Sequence, residues 1–265
     1  MVTPRIAFGL CTHNHAGTIV QCLQSIYDNC AEPDRVEVRV FDNASSDGSY
    51  SLACGTPHFN YSKVNLGESV GRYRSLRDSR APLLCCLDPD VEIKTPAIDL
   101  LLEKLLATRD VVAYADQWCY AKWGEGDGES AQHPITYAML RAFTRKAFNL
   151  LCVPDERLVY GAVDLDVAIR ARLSGIPMHA SRLLSLSHVP RTAHRKEEAW
   201  PKLTESIAAL CGKWLGDEMR VGPDPPWSRG VNELERFVGD PFDYKPCSAT
   251  AWGLPPCDKI VQRLV

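Results

Sequence analysis

Apolar residues along the first hundred positions switch repeatedly between two spacings, and the switches mark the elements. Arg5-Ile6-Ala7-Phe8-Gly9-Leu10 is a short apolar run that predicts a strand, whereas Ile19, Cys22, Leu23, Ile26 and Tyr27 recur at the spacing of one helical face. Val36-Glu37-Val38-Arg39-Val40 alternates as a strand does. It runs into Phe41-Asp42-Asn43-Ala44-Ser45-Ser46-Asp47-Gly48, a cluster of turn formers and helix-capping residues. His58 to Val64 predicts another strand, Glu68 to Arg80 a polar helix, and Pro82 to Leu87 a continuously apolar run of the kind buried in a parallel sheet. Alternation of strand and helix over this stretch predicts an α/β domain with a mostly parallel central sheet and helices on both faces.

Beyond Leu106 the rhythm changes. Asp110 to Tyr114 predicts one more strand, and Gly124-Glu125-Gly126-Asp127-Gly128 a polar loop, so that residues 124–134 form a candidate lid or acceptor edge. Ile135 to Phe143 reads as a strand, Val163 to Leu173 as a helix ending at Gly175, and Leu183 to Val189 as a strand closing the domain. A last amphipathic helix is expected from Glu197 to Leu215. The remainder, with Pro225-Pro226-Trp227 and Pro255-Pro256, has little periodicity. The expected organisation is one domain over residues 1–215 and a tail over 216–265 that packs on it.

Composition narrows the function. With 265 residues, 45% of them hydrophobic, the chain can bury a sizeable core, which excludes disorder for most of its length. Thirty basic against 33 acidic side chains leave a formal charge of -3, so no broad electrostatic attraction to nucleic acid or an anionic membrane exists. No window approaches the roughly 20 apolar residues of a spanning helix, and the opening lacks a basic, then apolar, leader pattern. A cytoplasmic protein with no transmembrane segment and no nucleic-acid partner is expected. The 11 cysteines are odd in number and contain no C-x-x-C pair, which predicts free thiols rather than a disulfide scaffold or a structural zinc site.

Ligands of open parallel sheets bind beyond the carboxyl ends of the strands, and polar clusters follow the expected strands at three places. These are Thr12-His13-Asn14-His15, then Asp42-Asn43 with Asp47, then Asp88-Pro89-Asp90. Each can be a turn or cap as well as a site. Asp88 and Asp90, two apart on an extended segment, would project to one side and repel unless a cation joins them; magnesium or manganese bridging a diphosphate suits that arrangement. His13 and His15 have no third ligand at metal spacing and are expected to pack or hydrogen-bond.

Taken in order, these segments resemble the inverting family 2 glycosyltransferases of GT-A fold, over residues 4 to 190. Ile6 to Asn14 is similar to that family's first strand and Thr-x-Asn turn, Val40 to Gly48 to its nucleotide-binding loop, Asn65-Leu66-Gly67 to its Asn-x-Gly turn, and Leu87 to Val91 to its Asp-x-Asp element. Gly161 to Arg170 resembles its Glu-Asp-x-Asp-x-x-x-x-Arg element, with Val163 in place of the usual glutamate.

The resemblance implies a hexosyltransferase that moves a sugar from a nucleoside-diphosphate donor, with UDP- or dTDP-sugars favoured, to an acceptor hydroxyl with inversion. The acceptor, a saccharide, a lipid-linked or a small molecule, is unknown. Asp164 falls at the catalytic base, although a residue opening a helix can also be a cap. Asp90 would hold Mn2+ or Mg2+, Asp88 would reach the ribose or the ion through water, and Asp42 would accept from the base of the nucleotide. Thr12, Asn14 and Asn65 belong to the donor-binding turns. His188 is open between facing the metal and being a surface residue, and Arg72 between touching the donor and a surface role. His194, Arg195 and Lys196 could offer charge to the diphosphate or simply start a helix. Asp166 and Arg170, four apart, predict a structural ion pair. Two alternatives remain: a nucleotidyltransferase, for which the first loop lacks glycine-rich basic character, and a catalytically silent nucleotide-sugar-binding relative, which the missing glutamate makes conceivable.

Overall fold

The computed structural model describes residues 3–114, 130–132, 138–181, 183–188 and 196–215. Most of the 124–134 loop, His194, Arg195 and the 216–265 tail lie outside the described residues, as does the side chain of Lys196. The first half follows the alternation of its sequence: β1 (Ile6–Thr12), α1 (Ile19–Asn29), β2 (Val36–Asn43), α2 (Ser49–Ala53), β3 (His58–Ser62), α3 (Glu68–Leu76), β4 (Leu83–Leu87), β5 (Val91–Ile93) and α4 (Ile98–Leu106). The second half is β6 (Val111–Tyr114), β7 (Ser130–Gln132), β8 (Leu140–Thr144), α5 (Arg145–Leu151), α6 (Val163–Leu173), β9 (Met178–Ser181), β10 (Leu186–His188) and α7 (Lys196–Leu215).

Eight strands form one sheet in the order β3-β2-β1-β4-β8-β6-β9-β7. β1 to β4 are mutually parallel, β8 runs antiparallel to both β4 and β6, β9 is parallel to β6, and β7 is reversed. Six of the eight strands therefore share one direction, and their carboxyl ends make one edge. Side chains alternate across the sheet: Ile6, Phe8 and Leu10 of β1 pack with α1 and α4, while Ala7 faces the core shared with α3, α5, α6 and α7. Each face thus carries its own helical layer. Removing such Ile, Leu and Phe side chains from water contributes about 1.5–3 kcal/mol apiece.

Two glycines set the seating of α3. A Cβ on Gly9 would stand 2.3 Å from Leu76 Cγ, and one on Gly71 would stand 2.2 Å from Cys11 Sγ. The helix therefore lies against β1 more closely than any side chain would permit, and Arg72, next to Gly71, reaches the carboxyl edge of the sheet.

Three sequence expectations shift. The helix from Glu68 ends at Leu76 rather than Arg80, because the chain turns there to bring the Ser79 hydroxyl onto the buried Glu37 carboxylate. The strand expected from Leu183 to Val189 forms over the shorter span Leu186–His188 as β10, which pairs antiparallel with β5 in a separate two-stranded sheet, while β9 takes a place in the main sheet. Asp88-Pro89-Asp90 is a turn, closed by the Val91 N–H on the Asp88 carbonyl at 3.3 Å, rather than an extended segment. The two carboxylates consequently face different partners.

Candidate active site

Register aligns the ends of the first strands, so that Thr12 stands beside Asp42 and Asp42 beside Tyr61. Asp42 is buried. Its Oδ1 accepts the Ser45 N–H at 3.0 Å, but its Oδ2 is buried with no hydrogen-bond partner among the described residues. An acceptor stranded in this way costs about 1–3 kcal/mol, a cost that a ligand's N–H would remove.

The loops around it are fixed to one another. Asn14, in the left-handed region at φ 60°, donates its backbone N–H to Ser45 Oγ at 2.9 Å and accepts the Ser46 N–H on Oδ1 at 2.7 Å. His13 Nδ1 meets the Asn43 carbonyl at 2.9 Å, and His15 Nδ1 lies 3.2 Å from the Thr12 hydroxyl, so both histidines are engaged in hydrogen bonds, as expected. Asn65 Oδ1 accepts from Asn43 Nδ2 at 3.0 Å and from the Gly67 N–H at 2.8 Å. Gly67, at φ 85°, makes the turn into α3. Asn65 thus shapes that turn, which the Asn43 side chain also braces.

Arg72 is not a surface residue. Its Nη2 lies 2.7 Å from Glu68 Oε1 and 2.7 Å from Asp88 Oδ1, and its Nη1 lies 3.5 Å from Asp164 Oδ1. Burial pushes the Asp88 carboxyl up to about 7 against the pull of Arg72, with the nearby charges of Asp164, Glu68 and Asp90 adding to the rise; 28% of the side chain remains exposed. Carboxylates crowd this edge more densely than cations.

Asp164 sits in the first turn of α6, but the cap position belongs to Ala162. Its Oδ1 lies 3.1 Å from Arg141 Nη1, and its Oδ2 accepts the Ala138 N–H at 3.1 Å. The carboxylate is therefore turned away from its own helix end, toward the sheet. Val163 is buried in the core, and the carboxylate next to the start of α6 comes from α3: Glu68 Oε2 accepts the Gly161 N–H at 2.6 Å.

Asp90 and His188 meet across the small sheet, where His188 pairs with Val91; Nε2 stands 3.5 Å from Asp90 Oδ2. Among the described residues, no three His, Cys, Asp or Glu side chains gather as a metal site. The donor set is one carboxylate and one imidazole. Such a pair fits a divalent ion whose other positions are filled by water and phosphate oxygens.

Two participants escaped the sequence reading, Glu68 and Arg141. The signal for Arg141 was an arginine inside the apolar strand Leu140-Arg141-Ala142-Phe143, where a charge is rarely buried without a partner. Beneath the site the expected Asp166–Arg170 pair is present at 2.9 Å, and it belongs to a larger network. Asp166 Oδ1 also accepts from Lys213 Nζ at 2.8 Å and Trp214 Nε1 at 2.7 Å, and Lys213 reaches Asp155 at 2.9 Å.

The sequence profile of Glycosyl transferase family 2 matches residues 8–155, more than half of the chain. The chain belongs to glycosyl transferase family 2. No curated protein is detectably similar to this transferase in sequence. Among solved structures it is similar to the mannosyltransferase PcManGT from Pyrobaculum calidifontis, in complex with GDP-Man and Mn2+, with TM-score 0.61 and 18% identity over 99% of this chain and 80% of that one. It is also similar to S. aureus TarS residues 1–349 in complex with UDP, with TM-score 0.54 and 12% identity over 95% of this chain and 75% of that one. The transferase has the GT-A fold, with a mostly parallel sheet flanked by helices. The matched span holds Thr12, Asp42, Arg72, Asp88 and Asp90, while Asp164 and His188 lie beyond it.

Proposed function

We propose that this glycosyl transferase moves a hexose from a UDP- or dTDP-sugar to an acceptor hydroxyl, inverting the anomeric centre, with Asp164 as base and a divalent ion at Asp90 and His188. The observation that carries the donor assignment is the stranded Oδ2 of Asp42. Its partner oxygen is already occupied by the Ser45 N–H, so the carboxylate has one buried position left. A pyrimidine imide offers one N–H and matches it. Guanine would present two adjacent donors to a single open oxygen. Thr12 and Asn14 hold the loops that frame this position, Asn65 holds the turn beside it, and a neighbour of the same fold binds UDP.

Asp90 and His188 would hold Mn2+ or Mg2+, which neutralises charge on the leaving diphosphate; a neighbour of the same fold holds Mn2+. Asp88 and Arg72 bracket the donor beside that pair, with Asp88 directed at the ribose or at ion-bound water. Asp164 accepts the acceptor's hydroxyl proton as that oxygen bonds to the anomeric carbon and the bond from carbon to the diphosphate oxygen breaks. One displacement from the opposite face inverts the centre. The described cysteines are free thiols, in keeping with a cytoplasmic setting, and no described helix is long and apolar enough to cross a membrane.

A panel of nucleotide sugars incubated with manganese and no acceptor tests the reading through slow donor hydrolysis. Turnover of UDP- or dTDP-sugars, abolished by EDTA, is expected. Turnover of a GDP-sugar alone would overturn the role of Asp42, and equal rates in EDTA would overturn the metal.

A further inference from the structure

A guanidinium buried in a strand interior is unfavourable unless an anion compensates it, since desolvating an ion costs several kcal/mol. Arg141 is such a group: 2% of its side chain is exposed, and it lies on β8 between β4 and β6, opposite Cys86 on one side and Ala113 on the other. Cys86 and Ala113 belong to the core on the α6 face, so residues in register with them project toward α6. There Arg141 Nη1 stands 3.1 Å from Asp164 Oδ1.

The two cations at Asp164 differ in kind. Arg72 stands on a helix and divides its guanidinium among Glu68, Asp88 and Asp164, so an arriving diphosphate can draw it away. Arg141 has its backbone fixed by strands on both sides and its side chain almost fully buried. Resting on the reading of Asp164 as base, we propose that Arg141 is a positioning residue that holds the Asp164 carboxylate in place for the acceptor when Arg72 turns to the donor.

The groups around Asp164 are Arg72 and Glu68 from α3, Cys86 from β4, Asp88 in the turn after β4, Arg141 from β8, Cys152 after α5 and Asp166 on its own helix. With Arg141 removed, the remaining carboxylates outnumber Arg72. The Asp164 carboxylate would then be left to Arg72, which the donor also draws, and to the Ala138 N–H.

The test is steady-state hydrolysis of a UDP-sugar by the intact protein. In Arg141→Gln kcat should fall about tenfold with little change in donor KM, because the carboxylate is displaced while the donor site is untouched. Arg141→Lys, which keeps the charge and threatens the fold less, should restore kcat to within about threefold of wild type. A folded Arg141→Gln with an unchanged kcat overturns the proposal; if that variant does not fold, a kcat in Arg141→Lys lowered about tenfold does so. Failure of the base reading looks different: Asp164→Asn would hydrolyse donor normally, whatever the Arg141 variants do.

Discussion

Lys213 is the cation through which the last described helix grips the floor of the site, and Lys213→Met removes the charge while keeping most of the stem. The ammonium, 14% exposed, lies 2.8 Å from Asp166 Oδ1 and 2.9 Å from Asp155 Oδ2. Breaking a buried pair from one side costs about 3–5 kcal/mol when the other charge is left alone. Neither carboxylate would be alone: Asp166 keeps Arg170 and Trp214, and Asp155 keeps Arg157 at 2.9 Å. The loss is therefore nearer that of one charge-assisted hydrogen bond, about 2–3 kcal/mol. At roughly 2–4 °C per kcal/mol for a domain of this size, the apparent Tm should fall by about 5–10 °C at pH 7.

A pH series adds a second readout. Burial alone would raise the Asp155 carboxyl, but hydrogen bonds from Arg157 and Lys213 hold it well below the usual carboxylate range. Such a group adds stability above the unfolded-state value near 3.9 and loses it as pH falls toward the folded value, so Lys213→Met should lose less on acidification than the wild type. The assay is thermal denaturation by circular dichroism at pH 7 and pH 3. A variant within 2 °C of wild type at pH 7, or one equally acid-sensitive, would refute the reasoning.

Asp164→Asn should slow transfer about 10²–10⁴-fold while donor binding by calorimetry stays normal, with a lowered Tm because Arg141 loses its counter-charge; transfer within threefold of wild type would mean the base lies elsewhere. Asp42→Asn, oriented to keep the Ser45 contact through its oxygen, turns an amide N–H donor toward the imide N–H of the pyrimidine, and UDP affinity should fall tenfold or more, about 1.4 kcal/mol or above. Gly71→Ala forces its methyl onto Cys11 Sγ and should destabilise the fold by about 1–3 kcal/mol, whereas Gly71→Ala combined with Cys11→Ala should recover much of that loss in chemical denaturation.

What the sequence disclosed follows from range. β1, β2 and β4 are buried parallel strands, so their apolar runs and the polar residues closing them stand out within a few positions, and Thr12, Asp42 and Asp88 were found that way. β5, three residues long, and α5, seven, are too short to show a period. Arg141 meets Asp164 across 23 positions, Lys213 meets Asp166 across 47, and His188 meets Asp90 across a sheet made of two short strands. No local pattern encodes such meetings. The strand at 183–189 shows the same limit: its pattern announced a strand, but its partner β5 had no visible pattern of its own, so the small sheet was not legible.

The reversed strand β8 also bears on how the chain is made. β3, β2, β1 and β4 are neighbours in the sheet and lie within residues 6–87, so this half-sheet can pair as soon as it leaves the ribosome. β6 cannot join it, because its sheet neighbours are β8 and β9, and Val111, Val112 and Ala113 are fully buried only once those strands exist. Until residue 144 has been synthesised, β4 and β6 both present unpaired, apolar strand edges. That interval is when a nascent transferase is most exposed to aggregation, and rapid synthesis through it or a chaperone on that segment would raise soluble yield more than stabilising the finished fold.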